Sequence, residues 1–242
     1  MIKIHPQTAP ETIHAIAREG VPHEATSIYK ARNEVFTLPT PEGVINIKAF
    51  HTPKFPNSYI YTNLRQSKAR RSFDNAVRLI DLGFHTPAPI AYIEEKSCGA
   101  LRRSYYISAQ LPLNNVRDWT EIPDYERLVD DLGAEMHRLV TKGVFHRDFS
   151  PGNILYERMA DGRFRFYYVD LNRMEFNVTS KAKLMRMFRA ITFDTDQLAL
   201  LARAYARAAC LDAGKVVAEA LEQHRRYLAE KRRLKALKSL FK

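Results

Sequence analysis

The clearest periodicity in the chain is helical and lies in its second half. Leu128, Leu132, Met136, Leu139 and Val140 recur at three- and four-residue spacing between Asp124 and Gly143. That spacing predicts one amphipathic helix with a single buried stripe. Phe73, Ala76, Val77 and Ile80 repeat the pattern in the segment from Arg65 to Leu82, which Gly83 ends. Thr192 to Asp196 has the composition of a helix start, and the apolar-rich stretch Leu198 to Ala209 follows it. A last helix is predicted over Val216 to Phe241. The first half reads differently. Ser27 to Leu38 predicts one or two short strands, Pro39 to Gly43 supplies turn chemistry, and Val44 to Phe50 is a β-branched strand. Pro87 and Pro89 set a connection into a strand ending at Ile93; Glu94 to Gly99 reads as a turn; Ser104 to Gln110 is the next strand. Residues 1 to about 25 show no strong pattern. Strands early and helices late predict the α+β class.

Between the long helix and the next apolar run stands a stretch of a different kind, Gly143-Val144-Phe145-His146-Arg147-Asp148-Phe149-Ser150-Pro151-Gly152-Asn153-Ile154-Leu155-Tyr156. Apolar residues enter it and an Ile-Leu strand leaves it. Asn153 follows Asp148 by five positions, and Asp170 follows Asn153 by seventeen, at the end of Phe166-Tyr167-Tyr168-Val169. Together these resemble the H-R-D-x-x-x-x-N catalytic loop and the D-F-G-type metal turn of kinase-like folds. Phosphoryl transfer needs one carboxylate near the attacking hydroxyl. It also needs a carboxylate and an amide oxygen to hold magnesium on the triphosphate. Asp148 suits the first role, Asn153 and Asp170 the second. Val44 to Phe50 then resembles the small-lobe strand that carries the phosphate lysine, which makes Lys48 the candidate for the α/β-phosphates of ATP. By itself, Lys48 would read as a surface lysine on an edge strand.

Composition narrows the partners. The net charge of +11 points to something anionic: nucleic acid, a phosphorylated sugar or a membrane surface. The basic run from Arg65 to Arg71 is either a solvated helix face or a contact to substrate phosphate. It contains no aromatic residues for base stacking, so no nucleic-acid partner is expected. No stretch of eighteen apolar residues occurs, and Met1 to Pro6 lacks a secretory h-region. The two cysteines, Cys98 and Cys210, lack metal-ligand spacing and suit a reduced, cytoplasmic chain.

The chain resembles, more narrowly, the bacterial lipopolysaccharide kinases of the Kdo/WaaP-like family. The passages that carry the likeness are Lys30 to Glu34, Ser67 to Ser72, Leu82 to Tyr92 and Phe145 to Leu155, within roughly residues 25 to 205. The resemblance implies a bilobal protein-kinase-like fold, with a β-rich N-lobe over 1–108 and a mainly helical C-lobe over 109–242. It implies ATP- and Mg2+-dependent phosphorylation of a sugar hydroxyl in the inner core of lipopolysaccharide, Kdo or heptose, on the cytoplasmic side. By matching motifs, Asp148 would be the base, Asn153 and Asp170 the metal ligands, and Lys48 the phosphate lysine. The sequence departs from the pattern in places. No G-x-G-x-x-G precedes Lys48, the metal turn reads Asp-Leu-Asn, and residues 65–80 contain no Glu to pair with Lys48. Asp74 or Asn75 is expected to turn toward Lys48 instead.

Three rival readings stand beside this one. A kinase of the aminoglycoside or choline type shares the loop, although its cationic substrates call for an acidic pocket. A catalytically silent, kinase-shaped module at the membrane fits the lost helix Glu and conflicts with the intact Asp148, Asn153 and Asp170. A protein kinase proper is disfavoured by the missing A-P-E and by Ser150 where Lys is common. Residues 225–242 carry eight Lys or Arg against one acid, Glu230, with Leu234, Leu237, Leu240 and Phe241 at helical spacing. That stripe either packs on the large lobe or docks the protein peripherally on an anionic membrane, where a lipid-linked anionic sugar would be met.

Overall fold

The computed structural model describes residues 1–52, 66–98, 100–192 and 194–239, with Lys238 described by its backbone alone. Arg65, Gly99, Leu240, Phe241 and Lys242, named above, lie outside the described residues. The chain divides into two compact units. The first joins Met1–Pro112 to Asp170–Asn172; the second joins Leu113–Val169 to Arg173–Lys242.

The first unit is built on a six-stranded antiparallel sheet. Its strands are β1 (Ile2–His5), β2 (Thr26–Lys30), β3 (Glu34–Thr40), β4 (Gly43–Ala49), β5 (Pro89–Ser97) and β6 (Ala100–Ala109), in the order β1-β5-β6-β4-β3-β2. Side chains alternate across such a sheet, and the two faces have different covers. Ile45, Ile47, Ala91, Ile93 and Ile107 meet Ile13, Ile16 and Ala17 of helix α1 (Glu11–Glu19). Phe50, Tyr92 and Tyr106 meet Ala69 and Phe73 of helix α2 (Lys68–Asp81) on the other face. Lys48 has the parity of Phe50, so the register Lys48↔Tyr106 puts it on the α2 face.

Two parts of this unit differ from the expectation. Residues Glu94 to Ser97 are strand, not turn, and the ladder runs on to Ser97↔Ala100. The run is polar because it pairs across the strands, with Glu95 opposite Arg103 and ion-paired to it. The N-terminal stretch forms β1 on the sheet edge, beside β5, and α1 beyond it. Helix α1 shows only one apolar turn-and-a-half, too short a repeat to stand out, and its start carries no side-chain cap.

The second unit is mainly helical: α3 (Tyr125–Thr141), α4 (Lys181–Leu184), α5 (Thr195–Ala209) and α6 (Ala213–Ser239). Strand β7 (Phe145–His146) pairs with β10 (Met174–Glu175), and β8 (Ile154–Arg158) forms a hairpin with β9 (Phe164–Tyr168). The stripe expected on α3 is buried, from Leu128 through Leu139. Helix α3 crosses α5 at Gly133, where an added Cβ would lie 2.7 Å from Ala204 C and Tyr205 N. Only a hydrogen fits there. Asp194 caps α5, accepting from the amides of Asp196 and Gln197. Helix α6 docks through Val216, Ala220 and His224, whose Nδ1 donates to the Arg189 carbonyl at 2.9 Å. From Glu230 onward the described side chains of α6 are solvent-exposed, with Leu234 58% and Leu237 53% exposed.

Candidate active site

In the first unit, Lys48 finds its counter-charge on the Asp170-Leu171-Asn172 turn. Its Nζ lies 2.5 Å from Asp170 Oδ1, and the Asn172 side-chain amide donates to the same oxygen at 2.6 Å. Asp170 has φ +60°, a left-handed conformation that Asp tolerates better than most residues. The Asp-Leu-Asn turn therefore places its unusual backbone at the Asp itself, and Asn172 replaces conformational freedom with a side-chain bond.

The expectation that Asp74 or Asn75 would turn to Lys48 is corrected here. Asp74 pairs with Arg70 one helical turn back, at 3.4 Å. Asn75 Nδ2 donates to the Leu171 carbonyl at 2.7 Å. A neutral amide reaches a backbone acceptor next to Asp170, while the Lys48 ammonium takes the carboxylate directly. Helix α2 thus steadies the turn that holds the partner of Lys48.

A second lysine stands close to the first. Lys48 Nζ lies 5.6 Å and Lys68 Nζ 5.9 Å from the Phe50 ring centroid. Ser67 caps α2 by accepting from the Arg70 amide, so Lys68 is the helix's first residue. Burial, then Arg32 and Arg71, pull the Lys68 ammonium below the usual lysine range, and the Asp170 charge offsets this in part. Several cations thus act on one carboxylate, an arrangement short of negative charge.

In the second unit, β7 delivers the loop that carries Asp148. His146 is buried, and its Nε2 donates to the Val169 carbonyl at 3.0 Å. The Val169 amide in turn donates to the Asn153 carbonyl at 3.0 Å. Asn153 Nδ2 donates to the Asp148 carbonyl at 2.9 Å, which leaves Oδ1 as the acceptor end of its amide. Both Asp148 carboxylate oxygens accept from Arg173 Nη1, at 2.9 and 3.1 Å. Asp148 and Arg173 line a cleft of about 330 Å³ with Arg147, Ser150 and Leu234. Arg173 and Lys68 escaped the sequence reading. Arg173 directly follows Asp-Leu-Asn, and Lys68 belongs to the basic run that left a phosphate contact open.

Asn153 in the second unit offers an amide oxygen and Asp170 in the first a carboxylate, each a hard donor of the kind that magnesium takes. Among the described residues no group of three or more His, Cys, Asp or Glu forms a metal cage.

Residues 50–205 match the family model described as the lipopolysaccharide kinase (Kdo/WaaP) family. The 3-deoxy-D-manno-octulosonic acid kinase of Vibrio parahaemolyticus serotype O3:K6 (strain RIMD 2210633) is 27% identical over 141 residues. The match covers 55% of this chain and 56% of that protein, so the chain spans about half the length of this curated relative. Among solved structures, WaaP in complex with acyl carrier protein is similar with a TM-score of 0.60 at 18% identity, covering 92% of each chain. The Rio2 kinase–ADP/Mg2+–phosphoaspartate complex from Chaetomium thermophilum gives 0.51 at 16% identity, covering 89% of this chain and 75% of that one. At these identities the structural likeness concerns the fold, which is protein-kinase-like.

Proposed function

The chain belongs to the lipopolysaccharide kinase (Kdo/WaaP) family, and on that footing we propose that it transfers the γ-phosphoryl group of ATP to a sugar hydroxyl of the lipopolysaccharide inner core, Kdo or heptose. The observation that carries this reading is the Lys48–Asp170 ion pair at 2.5 Å. It joins a phosphate lysine to a metal-turn carboxylate, the pairing that a silent module has no need to keep. The rival kinase type with cationic substrates is opposed by the arginines that line the cleft beside Asp148.

In this mechanism Asp148 accepts the hydrogen bond of the acceptor hydroxyl. It takes the proton as the oxygen attacks the γ-phosphorus, the bond to the β-phosphate oxygen breaks and ADP leaves. Arg173 holds both oxygens of Asp148 and fixes where the base points. Lys48 would bind the α/β-phosphates, and Lys68 would add a second ammonium to the polyphosphate. Asn153 and Asp170 would hold magnesium, which when bound neutralises charge on the phosphates.

The acceptor is proposed to be met at the cytoplasmic face of the inner membrane. Among the described residues no helix is long and apolar enough to cross a membrane. Support for peripheral contact comes from α6, whose exposed Leu234 and Leu237 share one stretch with Arg232, Arg233 and Lys235. The test of the reaction is phosphate transfer from ATP to purified core oligosaccharide, followed by mass. The expected result is a gain of one phosphate that Asp148→Ala abolishes. No gain with the parent protein, or an equal gain with the variant, would refute the assignment.

A further inference from the structure

A second cleft, of about 420 Å³, opens between the 3-10 turn Met185–Ala190 and α6. Lys183, Arg186, Arg226 and Gln223 line it, and it shares Arg189, Tyr227 and Glu230 with the cleft that holds Asp148. The two clefts therefore adjoin, with these three residues common to both, and together they reach from the base to Arg186. Across both, seven cationic side chains face only two carboxylates, Asp148 and Glu230.

Three of the seven cations are ion-paired. Lys183 pairs with Glu175 at 2.5 Å, Arg173 with Asp148 at 2.9 Å, and Arg226 with Glu222 at 2.6 Å. Lys231 lies 4.8 Å over the Tyr227 ring. Arg147, Arg186 and Arg189 have no carboxylate partner among the described residues. Arg189 is the telling one. Its guanidinium is half-buried, stacks 5.6 Å from the Tyr227 ring centroid and donates to the Arg147 carbonyl at 3.0 Å. Burial first, and Arg186 next, push it below the usual arginine range, with Glu230 and Asp148 opposing weakly. An arginine fixed by stacking, short of counter-charge and flanked by a second guanidinium is preorganised for an oxyanion.

We infer that the groove from Asp148 to Arg186 seats a phosphate monoester already present on the acceptor saccharide. Arg186 and Arg189 grip this group while another hydroxyl of the same acceptor reaches Asp148. The assignment rests on the kinase reading and adds to it that the acceptor is anionic before it is phosphorylated. Guanidinium forks match the tetrahedral, doubly charged oxygens of a phosphate. Tyr227 offers its ring to the C–H face of a sugar, and Glu230 can accept from ring hydroxyls between the two anchoring points.

The experiment uses the full-length protein without nucleotide, and so stands apart from the transfer assay. The probes are deacylated core oligosaccharide with its phosphates and the same material after phosphatase treatment, each titrated calorimetrically. Losing a charge-assisted contact costs about 10- to 100-fold in affinity, and the parent is expected to prefer the phosphorylated probe by that factor. Arg186→Ala, at an exposed position, should remove most of the preference and leave affinity for the dephosphorylated probe unchanged. Arg186→Lys should restore part of it. A parent that binds both probes alike, or an Arg186→Ala variant that keeps the preference, overturns the inference. Preference without transfer would instead count against the kinase reading and leave the groove assignment standing.

Discussion

Arg173 offers the sharpest separation between positioning and stability. The perturbation is Arg173→Met, which keeps the aliphatic stem and removes the guanidinium that bridges both Asp148 oxygens. The two side chains are 45% and 29% exposed, so their ion pair is bathed in solvent. Such a pair is worth at most about 1 kcal/mol of stability. In a domain of this size that corresponds to a Tm loss of no more than about 4 °C. The effect on turnover should be much larger. Misplacing a reacting group by about 1 Å costs on the order of 100-fold, or about 2.7 kcal/mol of barrier. The ceiling is the whole contribution of a positioned base, about 10²- to 10⁴-fold. The expected result is kcat lowered by about 10- to 100-fold, nucleotide affinity unchanged and melting shifted by a few degrees. Arg173→Lys should fall between the two, since an ammonium supplies charge without the planar fork. Steady-state transfer kinetics, nucleotide titration and thermal melting of the same preparations make the comparison. Turnover within about twofold of the parent would refute the positioning role, because a misplaced base should cost far more than that.

Four further outcomes are expected. Asp170→Ala should abolish magnesium-dependent ATP binding measured by titration, and unchanged binding would remove Asp170 from the metal site. Lys68→Met should weaken Mg·ATP by about 10- to 100-fold near neutral pH, the loss of one charge-assisted contact. Because the Lys68 value is depressed, its charge disappears as pH rises, before an ordinary lysine would titrate. Parent affinity should therefore fall with rising pH earlier than an ordinary lysine would lose its charge, and part of that fall should vanish in the variant. Gly133→Ala gains up to about 1 kcal/mol of helix propensity but forces backbone apart at a 2.7 Å contact, at about 1–3 kcal/mol. The net change should lower Tm by a few degrees in calorimetry, and an increase would show that the helix crossing can relax. Deleting residues 225–242 should abolish co-sedimentation with anionic vesicles at low salt, and equal binding to neutral vesicles would argue against an electrostatic dock.

What could be read from the chain was what local chemistry writes. The α3 stripe, the Asp194 cap and the loop from His146 to Asn153 depend on neighbours within a few residues, and each was legible. Long-range pairing was less so. Arg173 acquires its meaning 25 residues from Asp148, and Asn75 meets Leu171 across 96. A sequence shows that Asn75 is polar and internal; it does not show that a backbone carbonyl of the metal turn waits there. The same limit hid the cross-strand role of Glu95 and Arg103, whose polarity resembled a turn. Helix α1 was missed for another reason: it is nine residues long, and its buried positions, Ile13, Ile16 and Ala17, repeat the helical spacing only once.

One consequence follows from the way the first unit closes. It is not continuous along the chain, because Asp170–Asn172 belong to it while the residues on either side do not. A fragment ending at Pro112 would therefore lack a structural part of itself. Lys48 would lose its carboxylate, and the Asn75 amide, now partly buried against Leu171, would lose its acceptor. An unsatisfied buried polar group costs about 1–3 kcal/mol, a large share of the stability that holds a small unit together. During synthesis the sheet and its two helices emerge first, yet their last contacts wait until about 60 further residues have been translated. Chain order thus couples completion of the N-terminal unit to the appearance of the loop that carries Asp148.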